Sequence, residues 1–337
     1  MPKNSQLPTI ADVAKKAGVS IATVSRVLNG TTPVVESTAR RVQDAINELK
    51  FVPRTAARVL ASRRTNTIGL LLPEISGAFF SPMLRGIEAA ARELGFDLLI
   101  HATDEPHRNP RARRPLGEHN TDGLLVFTDS LDDDELYRLD AAGLPLVLMH
   151  QSLEGANIPT ITIENKDGAL SIVGHLIEVH HRQRIVYLRG PERHEDSVWR
   201  ERGYCEALEA HGLKVEPELI AMGAFDRAIA EKNVRDLISR GVEFDAVFTG
   251  DDEAALGVLS ALHAEGRRVP EDVSIAGFDD EAFAPFLFPP LTTVRAPIEQ
   301  VGREAVHQLV HLIRGEPAES LTLLPTEVII RNSCGCK

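Results

Sequence analysis

Along the first fifty residues, apolar side chains recur at the spacing of helices. Beyond position 66 the pattern changes to short apolar runs alternating with helical stretches. Ile10, Val13, Ala14 and Ala17 fall at i, i+3, i+4 and i+7, which gathers them on one narrow face. Thr9 precedes this run as an N-cap, and Asp12, three residues on, completes an acidic capping box. Gly18 supplies the backbone freedom of a tight turn, Ser20 caps a second helix, and Val24, Val27 and Leu28 repeat the apolar spacing. The residues left outward on that second helix are Ile21, Ala22, Ser25 and Arg26, a small, varied set with one guanidinium that suits a groove of DNA. An ordinary helical hairpin with a solvated outer face also accounts for this stretch taken alone.

After the Asn29-Gly30 turn, Ala39, Val42, Ile46 and Leu49 predict a third helix over Glu36 to Leu49, with Arg40, Arg41, Asp44 and Glu48 outward. Pro53 ends the pattern. The segment Arg54 to Ala61 that follows is basic and too short to be a stable helix alone in water. Such a marginal helix between two domains is what folding coupled to DNA binding requires.

From Thr67 the chain alternates. Apolar runs at Thr67–Leu72, Phe96–Ile100, Gly123–Phe127, Leu144–Met149, Ile185–Leu188, Ala246–Thr249 and Val273–Gly277 read as buried parallel strands, with helical segments between them. This is a doubly wound α/β architecture in two lobes. Pro106, Pro110 and Pro115 predict a broken or shortened helix between Glu105 and Asn120, with Arg108, Arg111, Arg113 and Arg114 solvated.

Charge sharpens this division. Residues 1 to 64 carry eleven Lys and Arg against four acids, a net of +7, within a chain whose net charge is −12. The remainder therefore carries −19. An acidic body is repelled by polyphosphate, so the basic head is the part suited to nucleic acid. No apolar run approaches the ~18 residues of a membrane helix, and the N-terminus lacks the apolar segment of a signal peptide. The expected location is the cytoplasm.

In open α/β sheets ligands bind beyond the carboxyl ends of the strands. The loops there carry neither Gly-x-Gly-x-x-Gly, nor Gly-x-x-x-x-Gly-Lys-Ser/Thr, nor Gly-x-Ser-x-Gly, and nothing assembles a nucleophile with a base. They offer instead Phe79 and Phe80 after the first strand, Trp199-Arg200 after Gly190-Pro191, Phe225 after Met222-Gly223, Asp251-Asp252 after Gly250, and Asp279 after Phe278. Rings stack on the apolar faces of a sugar or base, while carboxylates and an Arg fork bind hydroxyls or amides. Each has a plainer use: core packing for the phenylalanines, a structural ion pair for Arg200 and Asp279, and a helix cap for Asp252. Cys205, Cys334 and Cys336 form no disulfide framework, and the Cys334-x-Cys336 pair has no second pair of ligands close in sequence, so plain thiols are expected. His180-His181 reads as solvated imidazoles at the polar end of a helix. No metal or cofactor is expected.

Thr9-Ile10-x-Asp12-Val13-Ala14, Gly18-Val19-Ser20-x-x-Thr23-Val24-Ser25-Arg26-Val27-Leu28-Asn29 and Pro53-x-x-x-Ala57-Arg58-x-Leu60 resemble the head and hinge of the lactose/galactose repressor (LacI/GalR) family of bacterial transcription regulators. The resemblance runs through the body to the C-terminus. It implies that Ile21, Ala22 and Arg26, with Ser25 on the same face, address base edges in the major groove, and that Thr9, Ser20, Asn29 and Thr38 hold phosphates. It implies that Leu60, in the hinge motif with Ala57, wedges into the minor groove; packing of Leu60 on the body is the plainer alternative. Arg26 suits bidentate contact to guanine, whereas Ile21 and Ala22 offer only apolar contact and depart from a polar pair known in the family. In the body, Phe79, Phe80, Arg200, Phe225, Asp251 and Asp279 match effector-contacting positions. His150 stands where Asp is usual and Asp251 where Asn is commoner.

The expected domains are a head over 1–50, a hinge helix over 51–65 and a periplasmic-binding-protein-like core over 66–337. Its first lobe takes in about 66–163 and 294–322, and its second about 164–293 and 323–337. The expected function is a DNA-binding repressor, not an enzyme, that binds a pseudo-palindromic double-stranded operator as a homodimer. A small-molecule effector between the lobes, a sugar or sugar derivative, would control it. The chain ends after Val328-Ile329-Ile330 without a heptad extension, which favours a dimer over a tetramer. Two rivals are a solute-binding protein, which has no use for the basic head, and a sugar-processing enzyme using Asp251 and Asp279 as an acid/base pair.

Overall fold

The computed structural model describes residues 8–29, 33–51, 64–103 and 116–337. These fall into two compact units, one ending at Asn66 and one beginning at Thr67. The hinge residues Ala57 and Leu60, the turn glycine Gly30 and the proline-rich stretch from Pro106 to Pro115 lie outside the described residues.

In the first unit α1 spans Ile10–Ala17, α2 Ile21–Asn29 and α3 Glu36–Leu49. The predicted capping box is present. The Thr9 amide donates to Asp12 Oδ2 at 2.8 Å, and the Asp12 amide donates to Thr9 Oγ1 at 3.4 Å, so two otherwise orphaned donors are met. Gly18 closes α1 in the left-handed region, at φ 65. Ser20 Oγ accepts from the Thr23 amide at 3.1 Å and so caps α2. Val13, Ala14, Ala17, Val24, Val42, Ala45 and Ile46 make a buried core, closed by Phe51. Ile10, Val27, Leu28 and Leu49 pack on its edge.

The second unit is built on two parallel sheets. Strands β1 (Thr67–Leu72), β2 (Asp97–Ala102), β3 (Gly123–Phe127), β4 (Leu146–Met149), β5 (Thr160–Ile163) and β11 (Leu321–Leu324) form the first, in the order β11-β5-β4-β3-β1-β2. Helices α4 (Phe80–Glu93), α5 (Asp133–Ala141) and α10 (Ile298–Arg314) belong to this lobe. The second sheet runs β7-β6-β8-β9, from β6 (Ile185–Arg189), β7 (Ile220–Met222), β8 (Ala246–Thr249) and β9 (Ser274–Ala276). Its helices are α6 (Asn165–Glu178), α7 (Glu195–Ala210), α8 (Arg227–Ser239) and α9 (Asp252–Ala264). Beside it β10 (Thr293–Arg295) pairs antiparallel with β12 (Glu327–Ile329). The chain passes between lobes after β5, after β10 and between β11 and β12.

All seven predicted strands are present, with adjusted ends. β4 begins at Leu146 because Pro145 has no N–H to give to a ladder. Among the described residues, five strands went unpredicted. β5, Thr160-Ile161-Thr162-Ile163, is short and half polar, and β7, β10 and β12 have three residues each, too few for a periodicity to show. β11 carries the first sheet through Leu324.

Candidate functional site

On the head, Ile21 is half exposed, Ala22 and Arg26 are exposed, and Ser25 lies at the edge of this face. Val24 points the other way into the core, so the outward set predicted from helical spacing is the set the fold presents. Among the described residues no carboxylate pairs with Arg26. Thr9 and Ser20 stand at the N-termini of α1 and α2, where backbone amides and the helix dipole favour an anion. Thr38 is half-buried in the first turn of α3, and Asn29 is the last residue of α2.

In the second unit the carboxyl ends of β1, β3, β6, β8 and β9 face a cavity of about 260 Å³ between the lobes. The first lobe contributes rings. Phe79 and Phe80, where the β1 loop enters α4, meet edge to face at 5.4 Å between centroids, and Phe127 at the end of β3 lies 5.3 Å from Phe80. From the second lobe Phe225, at φ 57 in the loop after β7, reaches the cavity. It lies over the backbone of Gly190, where a Cβ would collide with its ring.

Charge is concentrated in the second lobe. Arg200 of α7 is only 2% exposed. Its Nε donates to Asn165 Oδ1 at 2.8 Å, Nη1 to the Gly250 carbonyl, and Nη2 to Asp279 Oδ1 at 3.3 Å. Its guanidinium carbon lies 3.8 Å from the Phe278 ring centroid. A cation so fully bonded is rigid, and it holds Asp279 toward the cavity. Asp251 caps α9, accepting from the Ala254 amide at 3.0 Å, while one residue on Asp252 is sealed inside, taking Thr293 Oγ1 at 2.6 Å and the Glu281 amide at 2.8 Å. The cap expected of Asp252 thus belongs to Asp251, because α9 begins one residue earlier than the sequence suggested.

Burial pushes Asp251 up to about 8, with the nearby Asp279 charge adding to it. Burial likewise pushes Glu281 up to about 8, reinforced by Asp279, Glu253 and Asp251. Glu281 Oε2 is buried without a hydrogen-bond partner among the described residues. For Asp279 burial also raises the pKa, and Arg200 pulls against it. Asp196 behaves oppositely: burial would raise it, but His150, Arg200 and the Asn165 amide outweigh that and hold it at about 2. The acidic wall therefore faces the cavity with acceptors that a hydroxyl-bearing ligand would satisfy.

Of the residues singled out from sequence, Phe79, Phe80, Arg200, Phe225, Asp251 and Asp279 line the cavity together. His150 does not. It is buried behind Phe79 and Phe127, bonded through Nδ1 to Asp196 Oδ2 at 2.7 Å, and Asp196 is the residue that reaches the wall. Trp199 points away, with its ring under the Arg202 guanidinium at 4.5 Å. Sequence reasoning missed Phe127, Asp196, Glu253 and Glu281. Phe127 ends a strand that the apolar pattern did locate, so the rule that ligands bind at carboxyl ends would have found it. It also missed a separate grouping, His175, His180, Cys334 and Cys336, whose ligand atoms all lie within 4.8 Å of one another. Searching for ligand spacing along the chain cannot see residues that the fold joins across 150 positions.

Comparison with known proteins agrees with this geometry. Residues 9–54 match the model for bacterial regulatory proteins of the lacI family, and residues 173–334 match a periplasmic binding protein-like domain. The regulator CelR of Thermobifida fusca is 36% identical over 334 residues, 97% of this chain and 98% of CelR. A structure of a CelR–cellobiose complex superposes with a TM-score of 0.72 at 33% identity, covering 97% of this chain and 99% of that one. The lac repressor dimer bound to operator and the anti-inducer ONPF superposes with a TM-score of 0.84 at 25% identity, covering 98% of this chain and 99% of that one. Basic reading head, two-lobed α/β body and whole-length similarity agree: the chain belongs to the LacI family of bacterial regulatory proteins and is a DNA-binding transcriptional regulator, not an enzyme.

Proposed function

We propose that this regulator is a repressor that binds a pseudo-palindromic operator as a homodimer and changes its hold on DNA when a neutral, hydroxyl-rich effector enters the interlobe cavity. Residues 1–50 act as the reading head, 51–65 as the hinge and 66–337 as the sensing core. Arg26 reads guanine while Ile21 and Ala22 make apolar contacts, with Ser25 beside them. Thr9, Ser20, Asn29 and Thr38 position the head on phosphates. Ala57 and Leu60 serve the hinge, the leucine wedging into the minor groove. It works in the cytoplasm, where its DNA is.

One observation carries the choice of effector: among the described residues, Asp251, Asp279 and Glu281 converge on the cavity with a single guanidinium, Arg200, already engaged. An anion finds no free guanidinium or ammonium among the described lining residues, whereas sugar hydroxyls exchange hydrogen bonds with these carboxyl groups and a sugar's apolar face stacks on Phe79, Phe80 or Phe225. That CelR is known in complex with cellobiose supports a sugar. A thermal-shift screen of neutral sugars against their phosphorylated counterparts tests this. A rise in Tm with a neutral sugar and none with its phosphate is expected; stabilisation only by anions would refute the reading.

A further inference from the structure

The chain places two histidines and two cysteines around one point, away from the interlobe cavity. His175 sits in the last turn of α6, and His180 folds back just beyond it, so that their Nε2 atoms are 3.2 Å apart. The C-terminal segment crosses over them. Cys336 Sγ lies 3.6 Å from His175 Nε2 and 3.3 Å from His180 Nε2, and Cys334 Sγ completes a set of four within 4.8 Å.

Zinc bound tetrahedrally, with Zn–N of about 2.05 Å and Zn–S of about 2.3 Å, places its ligand atoms at N···N about 3.3 Å and N···S about 3.6 Å. The separations in the structure, 3.2, 3.6 and 3.3 Å, fall within a few tenths of an ångström of those values.

The surroundings fix the cysteines. The Cys334 carbonyl accepts from Ser274 Oγ at 2.7 Å, Ser333 Oγ donates to the Ile275 carbonyl at 2.7 Å, and Asn332 Nδ2 donates to the Cys336 carbonyl at 3.2 Å. Thr292 Oγ1 donates to Cys334 Sγ at 3.1 Å, and Cys334 Sγ donates to the Arg331 carbonyl at 3.3 Å, which fixes the sulfur's position. Gly335 holds φ 115 against the His180 ring, where a Cβ would come within 2.9 Å of Nδ1.

We propose that His175, His180, Cys334 and Cys336 bind one Zn²⁺, an additional structural site that clips the C-terminal segment to the end of α6. Two imidazole nitrogens and two thiolates close the shell, two thiol protons leave on binding, and the site becomes electrically neutral. No ligand position remains for substrate, so the site stabilises and does not catalyse. Its soft, tetrahedral donor set favours zinc over magnesium or calcium.

Full-length reduced protein titrated with Co²⁺, followed by Zn²⁺, tests the proposal. The expected result is about one equivalent of cobalt per chain, with the ligand-field bands of four-coordinate cobalt and a thiolate charge-transfer band, all erased by zinc. Cys336→Ser and His180→Ala, each checked for unchanged secondary structure, should bind at least about tenfold more weakly. Chelator should lower Tm in the wild type and leave Cys336→Ser unmoved. Lack of a thiolate–cobalt band in the reduced wild type, or uptake undiminished in both variants, would overturn it; so would zinc measured on protein whose Cys334 and Cys336 remain joined as a disulfide.

Discussion

His150 and Asp196 join the two lobes: Nδ1 of the first-lobe histidine lies 2.7 Å from Oδ2 of the second-lobe aspartate, and both are buried. The bond is one of three made by consecutive residues at the start of α7. His194 Nε2 meets Asp129 Oδ2 at 2.7 Å, and Glu195 Oε1 accepts from the Ser152 amide and hydroxyl at 2.8 and 2.6 Å. The α7 N-terminus thus reports the relative position of the lobes, and it also carries Arg200 to the ligand wall.

Cutting that link should alter coupling more than binding. In His150→Phe, Asp196 keeps Asn165, Arg200 and a longer 3.3 Å bond from Thr162 Oγ1 of β5, but loses its 2.7 Å bond to His150, the shorter of its two links to the first lobe. Effector affinity should change less than the effector's influence on operator affinity, where a coupling of roughly 1–3 kcal/mol is typical. Isothermal titration with sugar, repeated with and without operator, measures both. Full coupling in His150→Phe would remove the interlobe bond from the mechanism.

Arg200 is the test of the buried charge cluster. Arg200→Met leaves Asp279 and Asp196 without their guanidinium and Asn165 Oδ1 without its donor. Breaking a buried pair on one side costs roughly 3–5 kcal/mol. A lowered urea midpoint with an unchanged m-value is the expected signature.

The pH dependence follows from the direction of the shifts. Asp251 and Glu281, at about 8 in the folded chain, keep protons that the unfolded chain releases near pH 4. Stability from these groups is therefore greatest below about pH 4 and falls as pH rises toward 8. Asp196, at about 2, contributes stability above about pH 4 that is lost as pH falls through 2. Melting temperatures compared at pH 5.5 and 8 should fall with rising pH, and the slope should flatten in Asp251→Asn/Glu281→Gln. A hydroxyl-donating effector favours the ionised carboxylates, so its binding should release protons at pH 7, visible as a buffer-dependent enthalpy.

Arg26→Ala should weaken operator binding by roughly 1–3 kcal/mol and random-sequence binding far less. Equal losses on both, in fluorescence anisotropy, would reduce Arg26 to a phosphate contact.

How far the sequence reached depends on what each feature needs. The head was legible to the individual side chain, because a helix of eight or nine residues with caps writes its buried face as a repeat: Val13, Ala14 and Ala17 inward, Ile21 and Arg26 outward. Long apolar strands were legible for the same reason, and with them the carboxyl ends beyond which Phe79, Arg200 and Asp279 gather. What escaped were relations made in three dimensions. His150 was placed at the ligand by the family resemblance, yet a histidine ring there packs under Phe79 and hands the wall to Asp196, 46 residues on. The three-residue strands β10 and β12 hold too few positions to show a period, although their pairing delivers Cys334 and Cys336 to α6.

The central claim is that occupancy of the interlobe cavity sets operator affinity. It is tested most directly by titrating labelled operator with wild type and Phe225→Ala, each with and without the sugar that raises the wild-type Tm. The account predicts a roughly 5- to 150-fold sugar-dependent shift in operator Kd for the wild type. Phe225→Ala should have the same sugar-free Kd and little or no shift at that sugar concentration. An operator affinity indifferent to a sugar that demonstrably binds, or a shift preserved in full in Phe225→Ala, would contradict it.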